Sequence, residues 1–150
     1  MILFLDFDGV LHPEPCYDEK SLFCCLPRIE SVLRDFPEVL VVISSTWREK
    51  RSLSELKSFF SADISNRIIG TTPSWKDCPD LFEVIGYQRQ TEVEAWLRES
   101  DEPWQSWIAI DDKAFLFKPF LPNLVKTDSS VGFDEFSERE LRQRFVSAGR

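Results

Sequence analysis

Apolar positions along the chain follow two alternating patterns. Residues 1–5 (MILFL) form an unbroken run that stops at Asp6, and residues 39–43 (VLVVI) form a β-branched run that stops at Ser44. Residues 107–110 (WIAI) form a third, ending at Asp111 and Asp112. Short continuous runs of this kind predict strands buried on both faces. Residues 67–70 predict another short strand, and Leu124 with Val125 a last one. Between the runs the spacing turns helical. Leu26, Ile29 and Leu33 share one helix face that stops near Pro37. Leu53, Leu56 and Phe60 mark a second helix. Thr91 with Glu94 reads as a capping box ahead of a helix that buries Val93, Trp96 and Leu97. Ser137 with Glu140 reads as another, with Phe136 and Leu141 set for a hydrophobic staple, and Leu141 and Phe145 facing the core. Residues 9–21 read as loop and residues 71–88 as irregular, interrupted by Pro73 and Pro79.

Strands that alternate with helices predict an α/β domain with a mostly parallel, Rossmann-like sheet and helices on both faces. At 150 residues, with 43% hydrophobic and 29% charged positions, one domain over residues 1–150 is expected. No apolar run is long enough to cross a bilayer, and the N-terminus lacks the basic region of a secretory signal. A cytoplasmic location without membrane partners is the expectation. The four cysteines, Cys16, Cys24, Cys25 and Cys78, have no paired CxxC spacing and only one histidine to join them. They read as reduced thiols and not as a zinc site. The formal charge of −8 is the opposite of a general nucleic-acid-binding domain, so any nucleic-acid contact is expected to be local.

The chemistry lies where the strands stop. In a parallel sheet the strand ends carrying Asp6 and Asp8, Ser44, and Asp111 and Asp112 fall on one edge, where ligands of such sheets bind. Four carboxylates in one crevice need a counter-charge, and a hard divalent cation such as Mg²⁺ supplies it through oxygen ligands. An aspartate beside that cation can attack phosphorus, a second acid can protonate the leaving oxygen, and a hydroxyl and a cation can hold the phosphoryl oxygens.

With these residues in view, DFDGVLH resembles motif I of the haloacid dehalogenase-like (HAD) phosphohydrolases, VVISSTWR resembles motif II and IAIDD resembles motif IV. All three stand in the family's order, and the likeness covers residues 1–128. It implies Asp6 as nucleophile and Mg²⁺ ligand. It implies Asp8 as general acid/base whose backbone carbonyl also binds the metal, and Ser44 as a phosphoryl ligand. Asp111 would complete the metal site, with Asp112 as ligand or support. The motif III cation is expected at Arg89, ahead of the helix leading to the last acidic strand, with Lys76 as runner-up. SSTWR, RIIGTTP and Arg89 followed by EVEAWL are similar to small HAD domains associated with RNA-repair proteins. The stretches between motifs have no room for a large cap domain, and capless members often act on polymer or protein ends.

The implied activity is Mg²⁺-dependent hydrolysis of a phosphomonoester, with a nucleic-acid or nucleotide phosphate as one substrate class. A small-metabolite phosphatase is the alternative and needs residues 71–88 to close over the site. A non-enzymatic domain that binds a phospholigand or a protein is the second class. Several side chains keep two readings. Ser45 or Thr46, in place of Ser44, can be the inward hydroxyl. Arg48 either grips a substrate phosphate or pairs with Glu49 or another acid. His12 is either a proton-transfer or substrate group or a plain loop residue. Trp47 and Trp75 are read as core in preference to base-stacking groups, and Asp128 as a turn residue.

Overall fold

In the computed structural model, which describes residues 1–149, five strands run β1 (Ile2–Leu5), β2 (Leu40–Ile43), β3 (Ile68–Thr71), β4 (Trp107–Asp111) and β5 (Leu124–Lys126). They form one sheet in the order β3-β2-β1-β4-β5, with every pairing parallel. The helices are α1 (Leu26–Asp35), α2 (Leu53–Lys57), α3 (Ala62–Ser65), α4 (Pro79–Ile85), α5 (Gln88–Glu99) and α6 (Glu135–Ala148). This is the expected α/β fold, without a large cap. The chain builds one side of the sheet outward from β1 and then crosses to its other side at β4. The reversal of direction lies between β1 and β4, where a crevice opens at the carboxyl ends.

The strands are legible as continuous apolar runs because both faces are covered. On one face Leu3, Leu5, Val41, Ile43, Ile110 and Val125 pack with Ile29 and Leu33 of α1 and Leu141 and Phe145 of α6. On the other, Ile2, Phe4, Val42 and Ala109 pack with Val93 and Leu97 of α5. Arg67 ties the entrance to β3 to the end of α1. Its guanidinium donates to the carbonyls of Leu33, Phe36 and Val39, at and just past the helix end where carbonyls run short of helical partners.

The departures from the sequence reading lie at helix starts. The segment 71–88 is not irregular throughout: α4 begins at Pro79, a residue well suited to a first helical position, and ends at Gly86 in a left-handed conformation (φ 80°). Thr91 is not a cap. It sits inside α5, and its hydroxyl donates back to the Tyr87 carbonyl. Asp134, not Ser137, caps α6 by accepting from the Ser137 N–H, and Phe136 is exposed, so no staple forms. The second helix breaks into α2 and α3, with Phe60 buried between them. Among the described residues no helix is long and apolar enough to cross a membrane.

Candidate active site

Sheet register assembles the acids. Leu5 pairs with Ile43 on one side and with Ile110 on the other. One step further, Asp6, Ser44 and Asp111 therefore stand side by side, with Ser44 N–H donating to the Leu5 carbonyl and Asp6 N–H to the Ile110 carbonyl. Side chains alternate along a strand. Phe4, Val42 and Ala109 face α5, so Asp6, Ser44 and Asp111 share that parity and open toward the start of α5.

There they meet Arg89. Its Nη1 lies 2.7 Å from Asp111 Oδ2 and 3.4 Å from Asp6 Oδ1, and the side chain is buried. Lys76, the other candidate cation, is exposed, with its ammonium 6.0 Å from the Trp75 ring centroid. Asp6, Asp111 and Asp112 each place one carboxylate oxygen within 4.8 Å of the others. Burial pushes the Asp6 carboxyl well above the ordinary value, helped by the charge of Asp111 and opposed by Arg89. Burial likewise pushes Asp111 up to about 6, against the pull of Arg89. Burial works against charge on Arg89 too, but Asp111, Asp6 and Glu92 outweigh it and hold its pKa up. Asp112 Oδ2 has the Lys113 ammonium at 3.3 Å, but Glu14 shares that cation at 2.9 Å. Arg89 and a shared, part-exposed lysine do not neutralise three clustered carboxylates. Asp112 Oδ1 is also buried with no hydrogen-bond partner, a costly condition that a cation ligand relieves. An all-oxygen donor set with one orphaned oxygen fits a hard divalent cation.

Gly9 makes room for this cluster. Its φ is +74°, and a Cβ built there lies 2.6 Å from Asp112 Cγ. The Gly9 carbonyl is held by the Thr127 hydroxyl at 2.7 Å, so the loop has nowhere to retreat. Gly9→Ala is expected to destabilise the fold by about 1–2 kcal/mol for the left-handed backbone alone, with more for displacing Asp112. Urea denaturation is the measurement.

Arg48 is not presented to solvent. Its Nη1 donates to the carbonyls of Ser44 and Ser45, and its Nη2 forms a 2.6 Å ion pair with Glu92. Glu92 also accepts from the Trp75 N–H at 3.0 Å and lies 3.4 Å from Arg89 Nε. Arg48, Glu92, Arg89 and Asp111 thus form a buried chain of alternating charge from the end of β2 to the end of β4. Burial raises the Glu92 pKa, and Arg48 opposes the rise. The sequence reading missed Glu92. Its available signal was the i, i+3 step from Arg89, which puts both side chains on one helix face. Ser45 uses its hydroxyl to accept from the Trp47 N–H and so caps the turn at Thr46–Glu49, while Thr46 is exposed.

Asp8 is set apart from the acid cluster. Its carboxylate is partly exposed and accepts from His12 Nε2 at 2.8 Å and from Trp47 Nε1 at 3.1 Å to both oxygens. The His12 bond, with Trp47 behind it, holds the Asp8 pKa below the ordinary value although partial burial opposes them. His12 is buried, and its Nδ1 receives the Phe23 N–H at 3.4 Å. That contact leaves Nε2 as the protonated nitrogen that faces Asp8. Phe23 holds a left-handed backbone, φ 60°, unusual for a non-glycine residue. Its ring packs on His12, Trp47 and Phe59. Trp47 is therefore both core packing and a donor to the site. Asp128 is a turn residue whose carboxylate accepts from Ser130.

A parallel sheet in this order, with acids at the ends of β1 and β4, a hydroxyl at the end of β2 and no large cap, defines a small HAD-like core. The chain belongs to the family described as the HAD domain in Swiss Army Knife RNA repair proteins, whose family model matches residues 2–137. No curated protein and no solved structure matches it.

Proposed function

We propose that this chain is a Mg²⁺-dependent phosphomonoester phosphatase that works through an aspartyl-phosphate on Asp6 and acts in the cytoplasm as one domain. The observation that carries the reading is the buried cluster of Asp6, Asp111 and Asp112, with one guanidinium among them and Asp112 Oδ1 orphaned. Membership of a HAD domain family supports a phosphatase-type hydrolase. Asp6, Asp111 and Asp112, with the Asp8 carbonyl, would hold the Mg²⁺, whose positive charge would offset the acids and draw off charge from the phosphoryl oxygens.

In this reading an Asp6 carboxylate oxygen forms a bond to phosphorus as the bond to the leaving oxygen breaks. Asp8 gives that oxygen a proton. It then takes a proton from the water that attacks phosphorus, which releases inorganic phosphate and restores the Asp6 carboxylate. Asp8 starts as a base, since His12 and Trp47 favour its ionised form. An incoming phosphate dianion raises its pKa, and its exposure lets solvent supply the proton. Ser44 binds the phosphoryl group. Arg89 keeps Asp6 and Asp111 in register, and Arg48 and Ser45 hold the β2 turn in place of touching substrate.

The test is phosphate release from an aryl phosphate and from phosphorylated nucleotides, oligonucleotides and sugars. Turnover is expected with Mg²⁺ and to fall to background in chelator. Folded protein that binds Mg²⁺ yet releases no phosphate from any of them would favour a phospholigand-binding domain instead.

A further inference from the structure

A cavity opens beside Asp8. It has a volume of ≈ 580 Å³ and is lined by Asp8, Thr46, Trp47, Glu49, Lys50 and Arg51. It borders Asp8, the group that protonates the departing oxygen, and none of the buried acids lines it. In the proposed reaction Asp8 protonates the leaving oxygen, so the leaving group lies on the side of the site where this cavity opens.

Two cations, Lys50 and Arg51, line it beside two acids, Asp8 and Glu49. The Arg51 guanidinium carbon lies 4.9 Å from the Trp47 ring centroid and 5.7 Å from that of Phe59. Stacking on two aromatic rings orients a guanidinium without using its N–H donors, which stay free for an anion. Among the described residues no carboxylate pairs with it, unlike Arg48, which is bound to Glu92. Lys50 adds a second exposed cation beside it. Trp47 joins the two halves of the device, since its indole N–H binds Asp8 while its ring supports Arg51.

We infer that this cavity is a leaving-group subsite for an alcohol that carries a phosphate of its own, held by Arg51 and Lys50. The inference rests on the phosphatase reading for its catalytic side. Two sources share the chemistry: the terminus of a polynucleotide, whose next phosphodiester reaches the subsite, and a small bisphosphate.

The experiment compares kcat/KM for 3′- and 5′-phosphorylated oligonucleotides and for nucleoside 3′,5′-bisphosphates with that for nucleoside monophosphates and an aryl phosphate. It is run on the wild type, Arg51→Gln, Lys50→Gln and Arg51→Lys. The wild type is expected to favour substrates with the second phosphate. Arg51→Gln should lower that preference about tenfold, the effect of losing one charge-assisted contact, and should flatten its salt dependence. A preference for oligonucleotides and bisphosphates alike supports the subsite. A preference for oligonucleotides alone supports it and assigns the polymer. No preference in the wild type, or one that survives both glutamine substitutions, overturns it. A parallel arm reads binding of the same oligonucleotides to Asp6→Asn with and without Arg51→Gln. If no substrate is turned over, Arg51-dependent binding still supports the subsite while the phosphatase reading fails, and Arg51-independent or absent binding overturns both.

Discussion

Asp6→Asn is expected to remove turnover by about 10⁴-fold or more while leaving a folded protein. The amide cannot form the acyl-phosphate, so the covalent route closes, and nucleophile deletions of this kind have the largest kinetic effects seen in enzymes. A residue that only helped to hold a ligand would lose far less. Stability separates the two cases further. Asp6 is nearly fully buried with its pKa raised, so its ionised form is a burden on the fold. Replacing it with a neutral isostere relieves repulsion with Asp111 and Asp112. In chelator, Asp6→Asn is therefore expected to melt higher than the wild type, and Mg²⁺ should raise its melting temperature less. Steady-state phosphate release and thermal unfolding with and without Mg²⁺ check both halves. An inactive variant that melts lower in chelator would point to misfolding and not to a lost nucleophile.

The second large effect is expected at Arg89. Arg89→Ala leaves Asp6 and Asp111 without their guanidinium contact and strips Glu92 of one partner. Removing one member of a buried ion pair costs about 3–5 kcal/mol, readable by urea denaturation at neutral pH. Mg²⁺ should recover part of the loss, since it supplies charge to the same oxygens. The pH dependence has a definite sign. Asp6 and Asp111 bind protons more tightly folded than unfolded, so stability in chelator falls as pH rises from the ordinary carboxylate value of 3.8 through about 6 for Asp111. Arg89 opposes both shifts, so Arg89→Ala should steepen the fall and extend it to higher pH. Arg89→Ala as stable at pH 7 as at pH 4.5 in chelator would contradict the charge argument. Arg89→Lys, which keeps the charge and loses the planar fork that serves Asp6 and Asp111 through Nη1 and Glu92 through Nε, should fall between the two.

The three inner strands, β1, β2 and β4, were legible because burial on both faces leaves almost nothing but apolar residues in each run, and the acids were legible because they end two of those runs. Gly9 strengthened the reading for a reason the structure makes concrete: a side chain there collides with Asp112. The start of α5 was not legible. Arg89, Gln90, Thr91 and Glu92 are all buried, but they are buried against polar partners, and a periodicity of apolar residues cannot register that. The capping-box reading set the helix cap at Thr91, four residues after the observed cap at Tyr87. Glu92 was missed for the same reason, since an acid in a polar stretch looks solvated until Arg48, forty-four positions away, is placed beside it. Trp47 was read as core and its ring does pack there, but the indole N–H that reaches Asp8 was missed, because the two roles use different atoms.

The alternating chain of Arg48, Glu92, Arg89 and Asp111 also bears on how such a domain can change over time. Each member is balanced only by its neighbours, so the first of any two steps away from the pattern strands a charge in the interior. The paired change, Arg48 and Glu92 replaced together by apolar residues of similar size, avoids that intermediate and leaves Arg89 on the acids. Drift at these positions should therefore be locked in pairs. The outer pair is open to exchange, and the inner pair is bound to the chemistry it serves.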